Sequence, residues 1–142
     1  MRIIENTKIA LDTYKMVLQP TGSEIEKLKA LVPGQFINIK IEGFYLRRPI
    51  SIADWNDESL TIIYKVVGKG TKVLSEMEQG IELDILWPLG NGYNLTWIPD
   101  TAILIGGGVG VPPMYGLAKK LVEEGKKPRV ILGFREQNQV FY

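Results

Sequence analysis

Cysteine and histidine are both absent from the 142 residues. Without cysteine there are no disulfides, no thiolate clusters and no cysteine-ligated zinc; without histidine there is no Ser-His-Asp triad. Long apolar runs are missing too. The longest, such as Thr101–Ile105 and Val130–Leu132, have the length of strands and fall far short of a membrane span. Charge of one sign is scarce: 17 basic against 16 acidic residues leave a formal net charge of +1. No basic run interleaves with aromatics, so the chain lacks the electrostatic footprint of a nucleic-acid binder. The opening Met1-Arg2-Ile3-Ile4-Glu5 has neither the apolar core nor the small-residue cleavage site of a signal peptide, which predicts a cytoplasmic protein. Carboxylates are scattered, without an evident pair in an apolar setting. Chemistry is therefore expected from a borrowed organic cofactor.

An apolar share of 45% is ordinary for a globular chain, and the length suits one core, or one small domain with part of another. Residues 1–98 read as β. Tyr14–Gln19 and Gln35–Ile41 alternate in polarity, as strands buried on one face do. Further strands are expected at Ile3–Ala10, Ile50–Ala53, Leu60–Val67 and Ile81–Trp87, with turns at Pro20–Gly22, Pro33-Gly34, Asn56-Asp57 and Gln79-Gly80. Ser23 and Glu26 form a capping-box pattern for a short helix, and a second short helix is expected at Lys72–Met77. Six short strands separated by turns favour a closed antiparallel barrel over a sandwich.

The pattern changes after Pro99-Asp100. Thr101–Ile105 is wholly apolar, as a strand covered on both faces would be. A glycine-rich loop follows, and Pro112-Pro113 open a helix with Met114, Leu117, Ala118, Leu121 and Val122 on one face. Gly125 and Pro128 end that helix, and Arg129–Phe134 form a second apolar strand. Residues 99–142 are thus one βαβ unit. Two strands and one helix cannot cover both sheet faces, so a piece of a larger domain is expected, with self-association through the uncovered face.

Four motifs carry chemistry. In Arg47-Arg48-Pro49-Ile50-Ser51-Ile52, Arg48 and Ser51 can bracket a phosphate with a forked charge and a hydroxyl; alone, the motif reads rather as an arginine pair at a loop exit with no ligand. In Tyr64–Thr71, a strand runs into a glycine turn and a helix start, so the backbone can approach a pyrophosphate; a plain hairpin turn is the alternative. Gly106-Gly107-Gly108-Val109-Gly110 lies between strand and helix, where a phosphate meets the helix dipole. It is not the standard dinucleotide fingerprint, because Val111 replaces the third glycine and Gly133-Phe134-Arg135 stands where an acidic residue belongs. Trp87–Tyr93 alone is a long loop with a packed tryptophan.

Taken together and in order, RRPISI, YKVVGKGT, PLGNG and IGGGVGVPPMYGLAK make the chain resemble the ferredoxin-reductase superfamily. Within it the chain is similar to the electron-transfer subunits of class 1B dihydroorotate dehydrogenase. The resemblance covers nearly the whole chain. It implies a mainly β fold: a six-stranded antiparallel Greek-key barrel binding FAD (1–98), then an incomplete, Rossmann-like α/β nicotinamide domain (99–142). It implies FAD contacts at Arg48, Pro49, Ile50, Ser51, Ile63, Tyr64 and Lys65, with Gly70 and Thr71 on its pyrophosphate. Gly106, Gly107, Gly108 and Gly110 would face NAD(H). Electrons would pass between NAD(H) and an FMN-bearing catalytic subunit through FAD and a [2Fe-2S] cluster, in pyrimidine synthesis. This chain has no cysteine for such a cluster, which implies a truncated piece, not fully active alone. Another flavin subunit of the superfamily (hydrogenase or ferredoxin:NADP oxidoreductase) and a non-catalytic flavin-binding barrel are the alternatives. NAD versus NADP preference is not legible.

Overall fold

The computed structural model describes residues 1–142. Six strands form one antiparallel sheet: β1 (Arg2–Ala10), β2 (Thr13–Gln19), β3 (Phe36–Ile39), β4 (Arg48–Trp55), β5 (Leu60–Lys65) and, after helix α1 (Lys69–Ser75), β6 (Ile85–Leu89). Their order, β1-β2-β5-β4-β3-β6, is that of a Greek key. The sheet curls shut because β1 also pairs with the residues leading into β6. The Ile3 N–H donates to the Ile81 carbonyl (2.9 Å), and the Gly80 and Leu83 N–H groups donate to the Ile3 and Met1 carbonyls (2.8 and 2.7 Å). Closure leaves no long unpaired edge. The strand expected at Ile81–Trp87 therefore begins only at Ile85, and residues 81–84 follow β1 as a loop with a single bridge, Arg2 to Glu82.

Alternation places Met16 and Leu18 of β2, Ile37 and Ile39 of β3, and Leu60 and Ile62 of β5 wholly inside the barrel. Burying such a side chain stabilises by about 1.5–3 kcal/mol. Leu28 plugs one end from a 3₁₀ segment, Gly22–Ala30. The capping box expected at Ser23 and Glu26 does not form. The segment starts one residue earlier, and 3₁₀ winding aligns residues three apart, so Glu26 meets Lys29 (2.8 Å) and Glu24 meets Lys27.

Helix α1 begins at Lys69, three residues before the expected Lys72, because Thr71 organises its start. Thr71 Oγ1 accepts from the N–H groups of Val67 (2.9 Å) and Gly68 (3.2 Å) and donates to the Gly68 carbonyl (3.1 Å). The far end of α1 is pinned to the barrel by Asn6, whose Nδ2 donates to the Leu74 and Met77 carbonyls (3.0 and 2.9 Å). The Tyr64 hydroxyl in turn donates to Asn6 Oδ1 (2.9 Å), and its ring stacks on Tyr14.

Beyond the barrel, β7 (Ile103–Gly107) and β8 (Arg129–Gly133) pair in parallel around helix α2 (Val111–Glu123), a βαβ unit as expected. Only one face of this sheet is covered. Leu104 packs with Leu117 and Leu121, while Ile103, Ile105 and Ile131 stay 61%, 71% and 55% exposed. An uncovered face is what the sequence predicts for a βαβ unit without neighbouring elements. Val122 is also exposed, contrary to the expected stripe. Helix α2 touches β4 as well as β7, which draws its buried surface towards Val111, Pro112 and Gly116.

Contact with β4 is intimate. A Cβ at Gly116 would lie 2.6 Å from the Ala53 carbonyl oxygen, and Lys119 Nζ reaches Asp54 at 2.8 Å alongside. The Asp54 carboxylate, hydrogen-bonded to Lys119, holds that ammonium above the ordinary lysine value. Residues 134–142 then return to the barrel: the Leu11 N–H donates to the Asn138 carbonyl (2.9 Å), and Phe141 packs with Ala53, Ile63 and Val111.

Gly116→Val places branched carbons against a backbone oxygen that cannot yield. Overpacking of this kind is expected to lower stability by about 1–3 kcal/mol in urea denaturation; an unchanged midpoint would show that the seam is loose. Burial is the main cause that raises the Tyr64 phenol well above its ordinary value of 10.0. The folded chain then keeps a proton that the unfolded chain releases, so stability is level below roughly pH 10 and falls as pH rises past it. Tyr64→Phe is expected to flatten that decline while lowering neutral-pH stability by about 0.5–1.5 kcal/mol through the lost hydrogen bond. Urea midpoints measured from pH 7 upward check both effects.

Candidate functional site

The outer face of β4 and β5 and the loop after β7 form the two walls of a cleft. Its inner part, about 210 Å³, is bordered by Pro49, Ile50, Ser51, Ile63, Tyr64, Lys65, Val67 and Val109. It shares Lys65, Val67 and Val109 with an outer part of about 610 Å³, bordered also by Gly107, Gly108, Gly133, Phe134, Arg135 and Gln139. The structure thus brings together strands β4 and β5, forty residues upstream, and the glycine-rich loop. Joined, the two parts suit an extended organic ligand.

The wall residues owe their direction to strand alternation. β5 turns Ile62 and Tyr64 into the barrel and Ile63 and Lys65 outward, so Tyr64 meets the cleft with its backbone while its hydroxyl is taken by Asn6. Ile63 is buried on the outer face beneath Val111 and Phe141, so β5 is packed on both sides. Pro49 and Ser51 belong to β4, paired across β3 with Asn38 and Phe36.

The adjacent arginines part company. Arg47 is bound to Asp84 through Nη2 (2.9 Å to each carboxylate oxygen), with Nη1 on the Asp84 carbonyl (3.0 Å), and it braces β3 and β6. Arg48 has no carboxylate partner. Its Nη1 donates to the Leu46 carbonyl, its Cζ lies 5.3 Å from the Phe44 ring centroid, and its guanidinium rests over Gly70. Lys65 is likewise outside every ion pair. The cleft contains Lys65 and Arg135 and no carboxylate, so its field favours an anionic ligand.

Within the glycine-rich loop the roles differ. Gly106 is buried, and a Cβ there would stand 3.0 Å from the Gly110 carbonyl oxygen and 3.1 Å from Met114 Cγ; it permits close strand–helix packing. Gly107 and Gly108 border the open cleft, Gly108 with a positive φ of 52°. Gly110 is the N-cap of α2. Thr71 spends its hydroxyl on the turn before α1. The sequence motifs did not mark Phe44, which touches Arg48, and nothing in its spacing signals that contact. Val67 and Val109 lay inside quoted motifs, but only the fold shows that they face each other across the cleft.

No side chain in the cleft is a histidine, cysteine or paired carboxylate. The arrangement offers cations, backbone groups and apolar walls, which suit the binding and orienting of a ligand.

No protein-family model matches the chain. Curated relatives do: the dihydroorotate dehydrogenase B (NAD(+)) electron transfer subunit of Fusobacterium nucleatum is 45% identical over 97% of the chain, and that of Shouchella clausii is 41% identical over 100%. The chain spans about half the length of these relatives, 54% and 56%. Among solved structures, the NADH-dependent reduced ferredoxin-NADP oxidoreductase matches 99% of the chain and 50% of its own, with a TM-score of 0.85 and 31% identity. Phthalate dioxygenase reductase matches with a TM-score of 0.80 at 22% identity, over 98% of this chain and 44% of its own, and supports the fold alone. From end to end, and over about half of the relatives' length, this chain is similar to dihydroorotate dehydrogenase B electron transfer subunits, on a ferredoxin-reductase-like fold.

Proposed function

We propose that this chain is the FAD-binding part of an NAD-linked oxidoreductase subunit. Residues 1–98 would hold the flavin, and residues 99–142 would begin the nicotinamide domain. The whole subunit would relay electrons between NAD(H) and an FMN-bearing dihydroorotate dehydrogenase subunit, in the cytoplasm and in pyrimidine synthesis. A [2Fe-2S] cluster would need ligands from outside these residues, since the chain has no cysteine. The observation that carries the reading is Arg48, whose chain neighbour Pro49 borders the cleft: a guanidinium without a carboxylate partner, laid over Gly70.

The residues present fit FAD. Gly70 leaves room for the Arg48 guanidinium, which has no carboxylate partner and could pair with a phosphate. Pro49 and Ile50 offer an apolar wall, the Ser51 hydroxyl is uncommitted, and the outward Lys65 adds a cation. When bound, FAD supplies two-electron exchange with a nicotinamide and one-electron exchange with a later carrier. The chain's own contribution is orientation. Gly107, Gly108 and Val109 stand across the cleft from β5, so a nicotinamide dinucleotide resting on that loop would lie beside the flavin site, and Arg135 would meet its anionic portion. Thr71 shapes the turn that would approach the flavin pyrophosphate.

Loss of a charge-assisted phosphate contact costs about 1.5–3 kcal/mol. Arg48→Ala is therefore expected to weaken FAD at least about tenfold in a fluorescence titration of the apo chain. Unchanged affinity would remove Arg48 from the site. In stopped-flow, NADH is expected to bleach flavin bound to this chain much more slowly than flavin bound to a full-length relative, because α2 and two strands form one wall of a dinucleotide site. Equal rates would mean that the loop Gly106–Gly110 needs no further protein around the nicotinamide.

A further inference from the structure

Arg48 is a long, flexible side chain, yet three separate groups fix its end. The Leu46 carbonyl accepts from Nη1, the Phe44 ring lies 5.3 Å from Cζ, and the α-carbon of Gly70 lies close under Nε and Nη2. At Gly70 the approach is so close that an added Cβ would stand 2.6 Å from both nitrogens and 2.9 Å from Cζ, distances that no real Cβ occupies. Gly70 is buried in the first turn of α1, with nothing left-handed in its backbone to require glycine. A helix favours alanine over glycine. The glycine is accounted for by the guanidinium that rests on it.

Phe44 has a matching place. It is half-buried against the barrel core, while its neighbours Tyr45 and Leu46 are exposed. One part of the ring anchors the loop, and the ring is near enough to the Arg48 guanidinium to attract it electrostatically. An arginine free in solvent would lose rotamer freedom on gripping a phosphate; one already immobilised loses less.

We propose that Phe44 and Gly70 are positioning residues that preset the Arg48 guanidinium for the FAD pyrophosphate. The proposal rests on the reading of the cleft as a flavin site and deepens it, giving Phe44 a role, and Gly70 one beyond its expected place on the pyrophosphate, that acts through Arg48. Gly70→Ala should push aside the flexible end of Arg48, because the three atoms nearest to the new methyl group all belong to that side chain. Phe44→Leu keeps an apolar anchor and removes the ring.

The test is a double-mutant cycle on the 142-residue chain, with FAD affinity read by fluorescence titration and apo-protein stability by urea denaturation. Gly70→Ala and Phe44→Leu are each expected to weaken FAD roughly three- to tenfold. The apo protein with Gly70→Ala should be as stable as the parent or more so. In an Arg48→Ala background, both substitutions should have no further effect on FAD, because the group they position is gone. Losses that persist undiminished in that background would overturn the proposal, as would unchanged FAD affinity in both single variants. An unchanged affinity in Arg48→Ala alone would instead overturn the assignment of the flavin site, a separate failure from that of the clamp. Should Gly70→Ala prove unstable, the Phe44→Leu arm of the cycle decides by itself.

Discussion

The close approach of α2 to β4, with Gly116 against the Ala53 carbonyl, sets the geometry on which the rest of the cleft depends. A side chain there would hold the helix off the barrel, and the loop Gly106–Gly110 would move with it, since the loop feeds directly into α2. With glycine, the loop comes to face the outer surface of β5, and Val109 reaches Val67 and Lys65 across the gap. The same contact covers Ile63, which explains why β5 carries apolar residues in both directions instead of a simple alternation. Phe141, arriving from the end of the chain, packs into that seam and holds it from the other side.

On this frame, polar groups sort into those that build the site and those left free to act. Arg47, Thr71, Asn6 and the Tyr64 hydroxyl satisfy one another or nearby backbone, and they lock loop, helix and strand in place. Ser51 and Lys65 carry no such obligation at the cleft, and Arg48, though held by the Leu46 carbonyl, has no carboxylate partner. Buried polar groups that find partners cost little, whereas exposed groups without partners are the ones a ligand can recruit. The division leaves a region of cationic and apolar character without acid–base machinery.

Much of this was legible before the fold was known. The strands of the barrel, the change of character near Pro99-Asp100, and the strand–glycine loop–helix unit follow from period and punctuation alone, because alternation and glycine placement are local physical requirements. The motifs at Arg48–Ser51 and Gly106–Gly110 were recognisable for the same reason. Local pattern was weakest at element ends. The start of α1 moved to Lys69 because a single threonine hydroxyl captured two N–H groups. The strand expected from Ile81 yielded its first residues to pairing with β1, a contact between segments about eighty residues apart.

What the sequence determined by itself is the class of the chain: a β-rich body followed by one parallel βαβ unit, with no thiolate or imidazole ligand. Those properties depend on side-chain type and short-range spacing. Only the tertiary structure decided which of the two adjacent arginines lacks a carboxylate partner, why Gly70 is a glycine, and that Val122 stays uncovered. Each is settled by a contact between distant segments: Arg47 with Asp84, Arg48 with Gly70, α2 with β4. Chain neighbours share a sequence context but not a packing environment, and charge pairing and close approach act through the latter.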